Sequence, residues 1–357
     1  MRLLRSLVTI IPGLLLAQCA PAVHPVAAAP LPQASAGGEL VVRTLAQLEA
    51  AFARWAADAR TPVTFRLSPQ MMPQWRSILH SDAWGEYARR CSVAYREDGL
   101  VTLTLEYRDY VRLRRACHDT AFRASLSADE REAFLRVQSM VQQALRPGMS
   151  GFDKLLALHD LLVSQSKYDA DGGCNIIDIL RGKAGSCEAY SSTLSVMLEL
   201  AGIPSRVVVG QAGEPHAWNL VCLEGVWYHV DATWDDPIIR NGSRELVSHA
   251  WFCLSDAEIS RTHQWKRASY PATGKTTAWY YRRRGIYFAD FASFWQAATA
   301  AYHRGGRLFE GYLATYGNAE AFQNNLKRSV TRDTPRSISW TGPETPAGPV
   351  ILTFGSH

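Results

Sequence analysis

The sequence predicts an α+β protein, in which helices and antiparallel strands occupy separate blocks of the chain. Apolar residues recur at helical spacing in three successive segments: Phe134 to Leu145, Leu155 to Leu162, and Tyr190 to Ala201. Strict alternation from Val101 to Tyr107, after the Glu97-Asp98-Gly99 turn, marks a hairpin. A second pair of strand-like runs, Ala217 to Val221 and Gly225 to Val230, is joined by the Glu224-Gly225 turn.

Composition limits the class. With 357 residues, 47% apolar and 20% charged, the chain can bury a substantial core and is neither disordered nor fibrous. A net charge of +5 is small for this length: it suits weak attraction to acidic envelope material and gives no ground for nucleic-acid binding. Arg2 and Arg5 precede the apolar run Leu7 to Ala17, so residues 1–19 read as a signal peptide. Leu16-Ala17-Gln18-Cys19 resembles a bacterial lipoprotein cleavage site, which would make a lipid on Cys19 the membrane anchor; ordinary cleavage near Ala27 to Ala29 is the competing reading. Either way the expected location is the periplasm or cell envelope. Export permits a disulfide, but the sequence does not settle any pairing among Cys91, Cys117 and Cys174. Cys222 and Cys253 lie in apolar runs and read as small buried hydrophobes.

In chain order, the Ala- and Pro-rich residues 20–38 form a flexible spacer. A flanking α/β region follows over 39–125. It opens with strand Glu39 to Arg43, a helix through Leu45, Leu48, Phe52 and Trp55, and strand Val63 to Leu67. Trp75 to Tyr87 is expected to be helical, ahead of the hairpin. The central core spans 126–266, beginning with an N-cap at Ser127 and acidic Asp129 and Glu130. A C-terminal flanking region, 267–357, repeats the pattern: strand Gly285 to Phe288, helix through Phe291, Phe294 and Trp295, and strand Leu308 to Leu313. Two copies are consistent either with a diverged repeat or with unrelated units of like design.

The chemistry concentrates between Gly185 and Pro237. Cys187 follows the small, turn-prone Gly182 to Ser186 and opens a helical run, so it sits at a helix N-terminus. Unpaired N–H groups and the dipole there favour a thiolate and can hold an oxyanion. Taken alone, such a cysteine is more often a buried structural one. His216 stands at the entrance of a strand and Asp231 just after the next one, so adjacent antiparallel strands would bring the two together. Three such residues, each at the edge of an element, are harder to read as structural.

These residues carry a resemblance. G-S-C-E-A-Y (185–190), G-I-P (202–204), H-A-W-N (216–219) and W-Y-H-V-D-A-T-W-D-D-P (227–237), flanked by His159-Asp160, Tyr168-Asp169, W-F-C-L-S-D (251–256) and His263, resemble the transglutaminase-like superfamily. The resemblance runs from about Phe134 to Trp265 and implies a papain-like core, with a helix-borne cysteine packed on an antiparallel sheet that carries histidine and aspartate. It makes Cys187 the nucleophile, His216 the general base and acid, and Asp231 the orienting residue. It implies no cofactor. Larger members carry flanking β-sandwich domains, which are not recognisable in this sequence. Upstream of the cysteine, Tyr168 and Gln165 are the candidates for a side-chain oxyanion partner.

Tyr190, Trp218 and Trp234 are expected in the substrate cleft, although such aromatics, Trp227 among them, more often fill cores. Asp235 and Asp236 before Pro237 read as turn formers, and no regular oxygen-ligand loop for calcium is present. His159, His229 and His249 are taken as structural; with Cys174 they show no zinc-ligand spacing, and no metal is expected. Arg282 to Arg284 read as a solvated face. The expected function is an exported cysteine enzyme acting on amide bonds of a protein or peptide, by hydrolysis or by cross-linking. The alternative is a catalytically silent module that binds an envelope component.

Overall fold

Helix starts in this chain are written by short polar side chains. Thr44, Ser127, Ser150, Asp290 and Asn318 each sit in extended backbone and accept a hydrogen bond from an N–H of the first turn. Ser127 adds a full capping box with Glu130. The computed structural model describes residues 40–74, 84–182, 184–236, 247–275, 279–315, 317–331, 333–335, 337–342 and 348–355. The expected leader, Cys19, the spacer and residues 75–83 of the expected helix lie outside that set. Residues 84–87 form a turn rather than the helix expected there.

The first unit runs β1 (Val41–Val42), α1 (Leu45–Ala57), β2 (Val63–Leu67), β3 (Ala88–Tyr95) and β4 (Leu100–Tyr107). β1 and β2 are parallel, as a strand–helix–strand crossover requires, and the sheet order is β1-β2-β4-β3. The helices α2 (Asp109–His118) and α3 (Thr120–Arg123) lead out of it.

The centre comprises α4 (Ala128–Ala144), α5 (Gly151–Gln165), β5 (Lys167–Tyr168), α6 (Ile176–Gly182), β6 (Ala184–Gly185) and α7 (Cys187–Leu200). It continues through β7 (Ser205–Ala212), β8 (Glu214–Leu223), β9 (Val226–Val230), β10 (Phe252–Leu254), α8 (Asp256–Ile259) and β11 (Gln264–Trp265). Helix α7 is apolar or small all round and is buried from Ala189 to Leu198, with α2, α4, α5 and α6 packed about it. On its remaining side lies the sheet, ordered β10-β9-β8-β7-β11. The pleat sorts that sheet's residues into two clusters: Val207 and Val221 join the main core, while Val208, Trp218 and Leu220 fill a second core on the opposite face. β8 and β9 meet in a tight turn at Glu224-Gly225, where φ is +53° and +80°, a conformation glycine adopts without strain.

The last unit is α9 (Trp279–Arg284), β12 (Tyr287–Phe288), α10 (Phe291–His303), β13 (Leu308–Leu313), α11 (Ala319–Ser329), β14 (Ile338–Thr341) and β15 (Gly348–Phe354). Its sheet order, β12-β13-β15-β14, with one parallel pair and then two antiparallel ones, is that of the first unit. Leu48 in α1 and Phe294 in α10 are both fully buried, so the echo read in the sequence extends to topology and core position. The first unit shares its core with the central helices, as do Tyr280 and Tyr281 of α9, whereas α10, α11 and the last sheet close a core of their own around Phe294 and Phe322. The helix α2 precedes residue 126, where the central region was expected to begin, yet it packs on α7. All six described cysteines are free thiols; Cys253 is buried, as its apolar run suggested, and Cys222 only partly. Among the described residues no helix is long and apolar enough to cross a membrane.

The seam between α7 and β8 is pinned by Asn219, whose Nδ2 donates to the Ser191 carbonyl at 3.0 Å in a buried setting. Asn219→Ala removes that bond, leaving the Ser191 carbonyl only its helical donor, and we expect a loss of roughly 0.5–1.5 kcal/mol in urea unfolding. An unchanged midpoint would show that this bond does not fasten the seam.

Candidate active site

Cys187 is the first residue of α7, and the residues before it set its surroundings. Gly185 lies so close to the helix that an added Cβ would stand 2.9 Å from the Cβ of Ala189. Ser186 is the N-cap, but it makes no side-chain capping bond and its buried Oγ has no partner among the described residues. The leading N–H groups of α7 are thus left without a side-chain acceptor, beside a half-buried thiol. Glu188 turns the other way, paired with Arg108 and, at 2.9 Å, with Arg89.

His216 is the third residue of β8, buried behind the exposed Glu214 and Pro215. Its Nε2 is 2.8 Å from Asp231 Oδ2, which leaves Nδ1 for the thiol. Cys187 lies near enough to the ring to favour its charged form. Burial opposes a charged imidazole, but Asp231 and Cys187 outweigh it and raise the pKa of His216 to about 9.

Asp231 is fully buried at the end of β9. Oδ1 accepts from the N–H groups of Thr233 and Trp234 at 3.0 and 3.2 Å. Oδ2 is shared between His216 and His263, the latter at 3.1 Å. Burial pushes its pKa up, but the two histidines prevail and hold it below the usual carboxylate value. His263 follows α8, and its Nδ1 is 2.8 Å from Thr262 Oγ1. The sequence marked it only as a flanking match; no periodicity or spacing indicated that it shares the carboxylate with His216.

The expected cleft aromatics divide. Trp234 is half-exposed, with its ring centroid 6.0 Å from that of His216. Tyr190 and Trp218 are not cleft residues: they are 0% and 1% exposed. The Tyr190 hydroxyl donates to Asp236 Oδ2 at 2.5 Å, and Trp218 Nε1 donates to His229 Nδ1 at 2.9 Å. Trp218 stacks behind His216 at 5.9 Å and so supports the ring from inside the core. His229 Nε2 in turn donates a hydrogen bond to Asp256 at 2.9 Å, and burial keeps the ring below its ordinary pKa. Asp236 is more than a turn former, since the Tyr168 N–H also donates to it at 2.8 Å and ties β5 to α7.

Of the two oxyanion candidates, Gln165 is an exposed residue at the end of α5. Tyr168 pairs in register with Gly185, two residues before Cys187. Burial raises its phenol pKa first, and Cys187 adds to that rise. Two clusters have metal-ligand chemistry: His216 with Asp231 and His263, and His159 with Asp160 and His249. His159 and His249 show no ligand spacing along the chain, yet folding brings both to one carboxylate.

Residues 138–232 match the transglutaminase-like superfamily, a span that includes Cys187, His216 and Asp231. Human kyphoscoliosis peptidase is 36% identical over 75 residues, which is 17% of this chain and 11% of that protein. The mouse protein of the same name is 26% identical over 123 residues, covering 29% of this chain and 19% of its own length. The chain therefore spans less than a fifth of the curated relatives it matches. A crystal structure of a TGase aligns with 54% of this chain and 59% of its own, at 13% identity and a TM-score of 0.29. Residues 138–232 of this protein are a transglutaminase-like domain.

Proposed function

We propose that this protein is a cysteine-dependent acyl-transfer enzyme that cleaves protein or peptide amides through a thioester at Cys187. The observation that carries the reading is the 2.8 Å bond by which a buried Asp231 holds His216 beside the thiol. In the first half-reaction the sulfur attacks the amide carbon, and His216 Nδ1 passes a proton to the departing amine as the C–N bond breaks. In the second, His216 takes a proton from water or from an amine as that acceptor attacks the thioester and the sulfur leaves. Water gives hydrolysis; an amine gives a cross-link. Asp231 keeps the ring oriented and stabilises its charged form throughout.

The oxyanion formed at each attack is held by the N–H of Cys187 and by the hydroxyl of Tyr168, which the β5–β6 register supports. The charged-then-apolar start of the chain supports action outside the cytoplasm, on a protein of the cell envelope, with the enzyme either free or tethered at Cys19.

Iodoacetamide labelling followed by mass spectrometry tests the nucleophile. Modification should centre on Cys187, vanish in Cys187→Ala and slow by roughly 100-fold or more in His216→Ala. Equal labelling in the His216 variant would defeat the proposal and favour a silent binding module.

The titration of His216 has a defined sign. Its pKa rises from an ordinary ~6.5 to about 9 on folding. Its stabilising contribution is therefore complete below about 6.5 and is lost as pH climbs through about 9. By NMR the imidazole should titrate near 9 and fall toward its ordinary value in Asp231→Asn. A midpoint at or below the ordinary value in the native protein would contradict the ion-pair geometry.

Tyr168→Phe should lower kcat by about 100-fold with KM nearly unchanged. A change confined to KM would make Tyr168 a binding residue instead.

A further inference from the structure

We propose that His159, Asp160 and His249 form a site for a divalent transition-metal ion of the zinc class, distinct from the Cys187 site. Asp160 Oδ1 lies 3.0 Å from Nδ1 of His159 and 2.9 Å from Nε2 of His249. The three atoms lie within 4.8 Å of one another, which small adjustments reconcile with metal–ligand bonds of about 2.0–2.2 Å.

The far side of each ring decides what these inner nitrogens present. His159 Nε2 meets Asp235 Oδ2 at 3.2 Å, and His249 Nδ1 meets Glu310 Oε2 at 2.7 Å. Both carboxylates are buried, and a carboxylate only accepts, so both outer nitrogens carry protons. In neutral rings the inner nitrogens then present two lone pairs to the Asp160 oxygen, a contact that a cation among the three would relieve and that protonation of both rings relieves without one. A carboxylate behind each imidazole is also the arrangement that fixes the tautomer of metal-bound histidines and strengthens them as ligands. Asp160 is 41% exposed, which gives an ion a way in and leaves coordination positions open to water.

The cluster at Asp231 contrasts with this on the same criterion. There the outer nitrogens face the thiol and the Thr262 hydroxyl, neither of them an acceptor-only group, so nothing behind the rings holds their protons away from Asp231.

A metal here would fasten three parts of the fold. Glu310 on β13 backs His249 and also accepts from the His249 N–H and the Tyr281 hydroxyl, each at 2.8 Å. Asp235 backs His159, and its own N–H donates to the Asp231 carbonyl at 3.1 Å. The last unit, α5 and the turn bearing Asp231 would thus share one anchor.

The competing state is a pair of protonated rings with no ion, and metal binding separates the two. Chelator-treated full-length protein is titrated with Zn²⁺ by calorimetry and with Co²⁺ by visible absorption. The expected result is one equivalent bound, with a Co²⁺ spectrum of histidine–carboxylate ligation. Affinity should fall by about 100-fold or more in His249→Ala and by roughly 10–100-fold in Glu310→Gln, and stay unchanged in His216→Ala. Should His249→Ala not fold, Asp160→Asn preserves shape at a partly exposed position and should also lose the ion. A folded protein that takes up neither metal overturns the proposal. So does binding that survives Asp160→Asn and disappears in His216→Ala.

Discussion

The interaction on which the site depends is the burial of the Asp231 carboxylate among four donors. A lone carboxylate fully removed from water would be strongly disfavoured in its charged form. Here two backbone N–H groups fill Oδ1 and two imidazoles fill Oδ2, so every strong acceptor direction is occupied. The N–H bonds come from the turn that follows β9, which makes the turn part of the electrostatics and not only a connection. With the carboxylate so fixed, His216 has one orientation, its Nε2 committed and its Nδ1 directed to the thiol. His263 shares the load from the opposite side, with its Nδ1 against the Thr262 hydroxyl.

The thiol's half of the site is held by different forces. Helix α7 is buried in apolar packing, which fixes its axis but not its rotation or its end point. Polar contacts at three positions supply those. Glu188 pairs with Arg89 and Arg108, Tyr190 reaches Asp236, and Asn219 on β8 grips the Ser191 carbonyl. Strand β8, which brings His216, is thereby keyed directly to the helix that brings Cys187. The uncapped Ser186 is the one concession: a helix start that forgoes its usual cap leaves its N–H groups to a ligand or a developing charge.

Much of this was legible because it is local. The small residues before Cys187, the Glu224-Gly225 turn and the alternation in β8 and β9 are short-range signals, and they sufficed to place Cys187, His216 and Asp231 on the edges of their elements. What escaped was decided by the third dimension. Whether an aromatic next to a reactive residue faces a cleft or the core depends on which face of its element is covered, so Tyr190 and Trp218 read as cleft residues although both are interior. His263 comes 32 positions after Asp231, across a strand and a short helix, and no spacing rule spans that path. The pairing of His159 with Asp235, 76 positions apart, was hidden for the same reason.

The flanking units show how one topology can be attached in two ways. Both order their strands first-second-fourth-third, with a helix crossing over between the parallel pair. The first unit merges its apolar core with that of the central helices, so it cannot separate without exposing that core to water. The last unit places Tyr280 and Tyr281 of α9 in the main core but closes the rest of its core by itself, and it also meets the centre through polar contacts such as Glu310 on His249. Apolar merging is non-directional and tolerates small shifts, whereas a carboxylate held between an imidazole, a backbone N–H and a tyrosine hydroxyl fixes both distance and angle. Because His249 and Asp235 converge on the same few residues of α5, that directional contact sits next to the turn that presents Asp231. The position of the last unit is therefore mechanically linked to the carboxylate that orients His216, while the first unit reaches the site through α7, through Arg89 on Glu188 and through Glu86 on Arg206 of β7.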